Sequence, residues 1–155
     1  MSNDLQQLAT DFEEEYKKLE EKAKAMVFDE FKKVFDRHSE LTAIVWTQYT
    51  PYFNDGDTCE FGVHDFTVTN LPIEEVQNVT GWGEYDGEYL TEGPDATHFV
   101  TSLWGSTAKD FPDVVALEKF ASTTIGEGVF RGAFGDHVIV RVTRDGIDTE
   151  EYDHD

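Results

Sequence analysis

Apolar residues between positions 4 and 38 recur three and four apart: Leu5, Leu8, Phe12, Tyr16, Leu19, Ala23, Met26, Val27, Phe31, Val34 and Phe35. That spacing gathers them on one face of an α-helix, whose period is about 3.6 residues. No Gly or Pro interrupts the span, Glu and Lys alternate on the other positions in a way that supports i,i+4 pairs, and Asn3 or Asp4 is placed to cap the start. One long helix is therefore predicted over residues 4–38. Its stripe is narrow in the first half, close to a heptad seam, and richer in aromatics after Met26. Two readings follow. Either the second half simply packs on the body of the domain, or the first half is in addition an arm or a homodimerisation seam.

From Leu41 the pattern changes to that of strands. Residues 42–53 are rich in β-branched and aromatic side chains, and Asn54-Asp55-Gly56-Asp57 behind them is a strong hairpin signal. The return strand is predicted over 58–64, continuing through 66–69, and Pro51 suggests an edge or a bulge in the first strand. Residues 70–112 are the least regular, with Gly81, Gly83, Gly87, Gly93 and Gly105, Pro72, Pro94 and Pro112, and aromatics such as Trp82, Tyr85 and Trp104 scattered among them. So many aromatics argue for a long ordered loop region, with a short strand around 97–103. Asp113 is expected to cap a helix over 114–122, and a second helical piece is expected over 128–134. The chain then turns at Gly135-Asp136 into a hairpin, 137–143 and 147–152, about Arg144-Asp145-Gly146. The fold class predicted is α+β: a long N-terminal helix packed on a mostly antiparallel sheet of hairpins, with a short helical segment before the C-terminal hairpin. Residues 1–38 form the helix and 39–155 an acidic body, read together as a single domain.

Composition makes the body unusual. Twelve Phe, six Tyr and three Trp in 155 residues mark a chain with a core, not a disordered acidic tail. Yet the formal net charge is −21, and burying a core does not require self-repulsion of that size. The single cysteine, Cys59, cannot close an internal disulfide. The N-terminus has no basic and apolar leader pattern, and no run reaches the roughly 18 apolar residues that span a bilayer. A cytoplasmic location is expected. Nucleic acid and anionic membrane surfaces would repel the chain, so neither is an expected direct partner.

The charge is unevenly placed. The predicted helix holds ten acids and seven bases, a net −3 that leaves −18 for the body. Between Arg37 and Lys109 there is no Lys or Arg, while twelve carboxylates fall in that stretch, and the tail adds four more acidic side chains. The acids are either a solubility device or the imitation of a phosphate backbone. In the second case rigidly held carboxylates dock into the basic groove of a nucleic-acid-handling protein, with aromatics adding contact. In composition alone, this build resembles that of phage-encoded DNA mimics that block host nucleases, restriction or CRISPR enzymes, or polymerases. The candidate contacts are Asp55, Asp57, Glu60, Glu74, Glu75, Glu84, Asp86, Glu88, Glu150, Glu151 and Asp153. The alternative is a structural or assembly protein that oligomerises through the N-terminal helix.

Signatures of catalysis are weak. His38, His64, His98, His137 and His154 show no metal-ligand spacing, and one cysteine excludes a zinc knuckle. Asn54-Asp55-Gly56-Asp57 resembles the start of a calcium loop but lacks the bidentate Glu at the pattern's end, and a hairpin turn explains it. There is no G-x-S-x-G, no Walker lysine and no G-x-G-x-x-G. Gly81-Trp82-Gly83 reads as a turn. Cys59 and His64 suggest a nucleophile and base, but residues five apart on one strand face opposite sides. No enzyme activity, cofactor or metal is expected.

Trp46-Thr-Gln-Tyr-Thr-Pro-Tyr-Phe-Asn-Asp-Gly-Asp57, Phe134-Gly-Asp-His-Val138 and the ending Glu151-Tyr-Asp-His-Asp155 resemble strings in a group of small, uncharacterised acidic proteins of tailed phages and bacteria. The resemblance spans roughly residues 20–155. It implies a phage or prophage setting and an α+β layout, and it carries no activity and no functional residue.

Overall fold

The computed structural model describes residues 2–52, 56, 59–86 and 97–153, Ser2 by its backbone alone. Helix α1 (Ser2–Arg37) is followed by strands β1 (Ala43–Tyr49), β2 (Gly62–Val63) and β3 (Thr67–Thr69). A 3-10 turn, Ile73–Asn78, leads into β4 (Val79–Gly81), β5 (Glu84–Tyr85) and β6 (Val100–Ser102). Helices α2 (Gly105–Asp110), α3 (Pro112–Ala121) and α4 (Thr124–Phe134) come next, then strands β7 (Val138–Thr143) and β8 (Gly146–Glu151). The α+β class, the long N-terminal helix, the antiparallel hairpins and the short helices before the last hairpin are as the sequence predicts.

Burial divides α1 in two. Val27, Phe31, Val34 and Phe35 are buried against the body, whereas Leu5, Leu8, Phe12, Tyr16 and Leu19 are 55–72% exposed. The first half is thus an arm whose apolar stripe is largely open to solvent, with only Tyr16 and Leu19 at its base beside Ile125 and Val129. The other end is clamped. Arg144 donates to the carbonyls of Phe35, His38, Ser39 and Leu41 at 2.7–3.2 Å, a cation at the end of a helix whose last carbonyls lack intrahelical partners. Arg37 and His38 both reach Asp113 on α3, at 3.1 and 3.0 Å.

The main sheet has the order β6-β3-β1-β7-β8, with β2 also on β1, and every pairing is antiparallel. Strand β1 is central because its residues suit burial on both sides. Ile44 and Trp46, with Phe66, Val68, Val140 and Val142, face the helices and meet Phe31, Val34, Leu117 and Phe130. Ala43, Val45 and Ile139 face the other way, under Leu71, Val76 and Val79. This alternation is the two-residue period of a strand, here with both faces covered. Trp46 anchors the larger core, stacked between Phe31 and Phe66 at 5.5 and 4.6 Å between ring centres. Its indole N–H donates to Gln48 Oε1, and the Gln48 amide donates to the carbonyls of Phe130 and Gly135, so a buried polar group ties the end of α4 to the sheet.

Several expectations are corrected. The first strand ends at Tyr49, so Pro51 lies beyond it and marks neither an edge nor a bulge. The bulge is in the return strand. Gln48 faces Val63 and Val45 faces Thr67, which leaves one extra residue among 64–66 and splits that strand into β2 and β3. Cys59 precedes β2 and His64 follows it, so the two do not share one strand. The supposed loop 70–112 contains the 3-10 turn, the β4–β5 hairpin and α2, pieces too short to carry a readable period. Asp113 is not a helix cap: α3 begins at Pro112, a residue whose fixed φ suits the first helical position, and Asp113 is turned toward Arg37 and His38. The other helical piece starts earlier than predicted, where Thr123 Oγ1 accepts from Gly126 N at 3.0 Å. Most of the turn 54–57 lies outside the described residues.

Candidate acidic binding face

The 3-10 turn and the β4–β5 hairpin form a thin layer over the face of the sheet that the helices leave open. The hairpin lies close to it. A Cβ on Gly81 would stand 3.2 Å from Thr47 Cγ2 and one on Gly83 3.0 Å from Ser102 Oγ, both with positive φ, so glycine is required at these two places. Gly83 N donates to Thr67 Oγ1 at 2.8 Å and fixes the hairpin across the strands.

This layer carries a large part of the predicted site. Glu74 and Glu75 stand on the 3-10 turn, Glu84 on β5 and Asp86 directly after it. Glu75 accepts from Asn78 Nδ2 and Tyr85 Oη at 2.8 and 2.9 Å, which holds one carboxylate in a fixed place. The β7–β8 register adds two more acids. Asp148 lies opposite Arg141 and Glu150 opposite Ile139, and Ile139 belongs to the core under the hairpin, so Asp148 and Glu150 project on that same face. A shallow cleft of about 760 Å³ brings Glu74 together with Asp145 and Asp148. Sequence reasoning missed Asp145 and Asp148. The signal for Asp148 was the two-residue alternation from Glu150.

Not every predicted contact joins this group. Glu151 alternates to the helix-facing side of β8. Glu60 stands near Glu127 of α4, where burial, and after it the Glu60 charge, raise the Glu127 carboxyl above its ordinary range. Asp153 is exposed beyond the end of β8. Asp55, Asp57 and Glu88 lie outside the described residues.

Cations are segregated from the face. Of the five Lys and Arg that follow α1, Lys109, Lys119 and Arg131 stand on α2, α3 and α4, and Arg144 is folded over the end of α1. Arg141 alone among the described residues enters the acidic side, and it is consumed there. It is 8% exposed, donates from Nε and Nη2 to the Val79 carbonyl at 3.1 and 3.0 Å, and pairs through Nη1 with Glu150.

A row of rings borders the acids. Trp82 stacks on His64 with ring centres 5.2 Å apart, His64 meets Tyr49 at 4.2 Å, and Tyr49 meets Tyr152 at 5.4 Å. Burial, then the neighbouring Tyr152, push the Tyr49 hydroxyl above its ordinary pKa, so it is a neutral phenol at physiological pH. Trp82 is 42% exposed and sits at φ 57°, a left-handed conformation that bulky residues rarely adopt. Carboxylates beside π-faces, with the one local guanidinium neutralised, attract Arg and Lys through charge and cation–π contact. Among the described residues no group of three or more His, Cys, Asp or Glu is placed to hold a metal, and no helix is long and apolar enough to cross a membrane.

No protein-family model matches the chain, no curated protein matches it in sequence, and no solved structure matches it.

Proposed function

We propose that the chain is a non-catalytic binding protein whose acidic face occupies a basic groove built to hold nucleic acid, in a protein of the nuclease, restriction, CRISPR or polymerase type. One observation carries the reading: the side of the sheet away from the helices gathers Glu74, Glu75, Glu84, Asp86 and Asp148, with Glu150 paired to the buried Arg141, and among the described residues it holds no exposed Lys or Arg of the body, although acids stand on the helix side as well. A solubility device needs charge anywhere on the surface, whereas a mimic of phosphates needs one face of acids on a rigid support with no exposed cation among them. The resemblance of residues 46–57 to strings in small proteins of tailed phages and bacteria, which implies a phage or prophage setting, supports a host enzyme as the owner of that groove. The exposed stripe of α1 supports self-assembly as a second property.

The test is capture from bacterial lysate on immobilised protein at about 50 mM and about 500 mM salt, with mass spectrometry of what is retained and duplex DNA as competitor. Nucleic-acid-binding proteins that are lost at high salt and displaced by duplex DNA are the expected result. Retention that ignores salt and DNA contradicts the proposal.

A further inference from the structure

The arm of α1 carries more order than an amphipathic stripe. Leu5, Ala9, Phe12, Tyr16, Leu19, Ala23 and Met26 follow one another at alternating spacings of four and three, three uninterrupted heptads of a coiled-coil seam. The body buries Val27, Phe31, Val34 and Phe35 of α1 in its own core, with Phe28 and Ala23 packed at its edge, so of the seam only Ala23 is shared. The seam is open: its Leu5, Phe12, Tyr16, Leu19 and Met26, with Leu8 on the flank, are 55–72% exposed. At roughly 100 Å² of apolar surface each, they present about 600 Å² per chain, as large as the largest patch of an ordinary monomer. Two such seams bury about 1,200 Å² together, which reaches the range of specific interfaces.

We infer that the arm is one half of an antiparallel coiled coil formed with a second copy of this chain. Three observations choose the second copy and its direction. The first is fit. With Ala9 opposite Met26 of the partner subunit, Phe12 falls opposite Ala23 of the partner subunit and Tyr16 opposite Leu19 of the partner subunit, so each alanine receives a large side chain. A parallel pair in register sets alanine against alanine at 9 and 23 and leaves voids.

The second is charge. In the antiparallel register Glu15 flanks Lys22 of the partner subunit, twice by symmetry. On the other flank Glu13 approaches Glu20 of the partner subunit, and Lys17 and Lys24 lie one turn from these acids. A parallel pair sets Glu15 against Glu20 of the partner subunit and gains no opposite-charge contact. The bodies weigh more. Each carries a net −18 by sequence, and antiparallel arms hold them about 28 Å apart along the axis, well beyond a Debye length of about 8–10 Å, whereas parallel arms set them side by side.

The third is continuity. At the base of the arm the seam runs into an apolar groove of about 360 Å³ between Ala23 and Met26 on α1, Leu117 and Phe120 on α3, and Ile125 on α4, which is 72% exposed. In the same register Leu5 and Leu8 of the partner subunit come level with Glu30 and Val27, over that groove.

Light scattering and sedimentation of the full chain test the pair, with a mass twice 17.7 kDa expected. Phe12→Glu together with Leu19→Glu, both on exposed positions, is expected to weaken dimerisation at least about 100-fold while the body's near-UV signal, and its melting at dilutions where the wild type is also monomeric, are kept. Glu14→Lys, on the outer face of the arm, leaves the dimer intact. Nitroxide labels on Asn3→Cys in a Cys59→Ser background are expected about 40 Å apart in the dimer, against under about 20 Å for parallel arms. A monomeric wild-type chain, a double variant that stays dimeric, or a short label distance overturns the inference.

Discussion

Gln48 sits where two kinds of order meet, because it accepts from Trp46 and donates to the last turn and the cap of α4. Gln48→Leu keeps the volume but strands an indole N–H and two carbonyls in the core. It is expected to lower stability by about 3 kcal/mol in urea denaturation. Two carboxyls give the pH dependence opposite signs. Burial opposes the charge of Asp113, yet the bonds from His38 and Arg37 prevail and hold its pKa below the ordinary value. Its contribution is therefore present at neutral pH and is lost as pH falls through that lowered value. Asp113→Asn should cost about 1.5–3 kcal/mol at pH 7 and little at pH 3, read by thermal melting. For Glu118, burial, and then the charge of Asp65, outweigh the N–H of Phe66 and raise the pKa. This group favours the fold most below its unfolded pKa and loses that contribution as pH rises through the folded one. Glu118→Gln keeps an acceptor for Phe66 and should raise the melting temperature at pH 7 but not at pH 4.

The elements show which sequence signals are strong. Helix α1 and strands β1, β7 and β8 were legible, because their side chains repeat at helical or strand periods over six or more residues. Strands β2 to β6 are two or three residues long, and none holds a full period. What places the β4–β5 hairpin is a bond from Gly83 N to Thr67 and two close glycine contacts, none visible in composition. The acidic site was legible only in part for the same reason. The absence of cations over 38–108 is a property of the string, but the face on which each acid stands depends on register, which is why Glu151 and Glu60 fall away and Asp148 joins. The role of Asp113 rests on partners 75 and 76 positions earlier in the chain, beyond the reach of local pattern. The arm, by contrast, adds little to the body of a single chain. Removing residues 1–19, exposed throughout where their side chains are described, is expected to leave the unfolding free energy of the body within about 0.5 kcal/mol of the full chain in urea titration at dilutions that keep both monomeric. A larger loss would mean that the arm stabilises the body.

At the scale of the molecule, charge is what the fold must tolerate. A chain of −21 is stabilised when salt screens its self-repulsion, so the melting temperature should rise by about 5 °C between low salt and about 0.5 M NaCl. The binding proposed for the acidic face has the opposite dependence, since counterion release gains less free energy as the bulk salt rises. Salt should therefore strengthen the fold while it weakens the complex, a pair of trends that an apolar interface does not give.

The most direct measurement compares two triple charge reversals of equal net effect in the lysate capture. One, Glu74→Lys, Glu84→Lys and Asp148→Lys, alters the acidic face, and the other, Glu14→Lys, Glu21→Lys and Asp29→Lys, alters α1. With both variants folded, the account predicts that the first loses the nucleic-acid-binding proteins and the second retains them. Equal loss from both variants would show that net charge alone does the binding, and retention by both would show that the face takes no part.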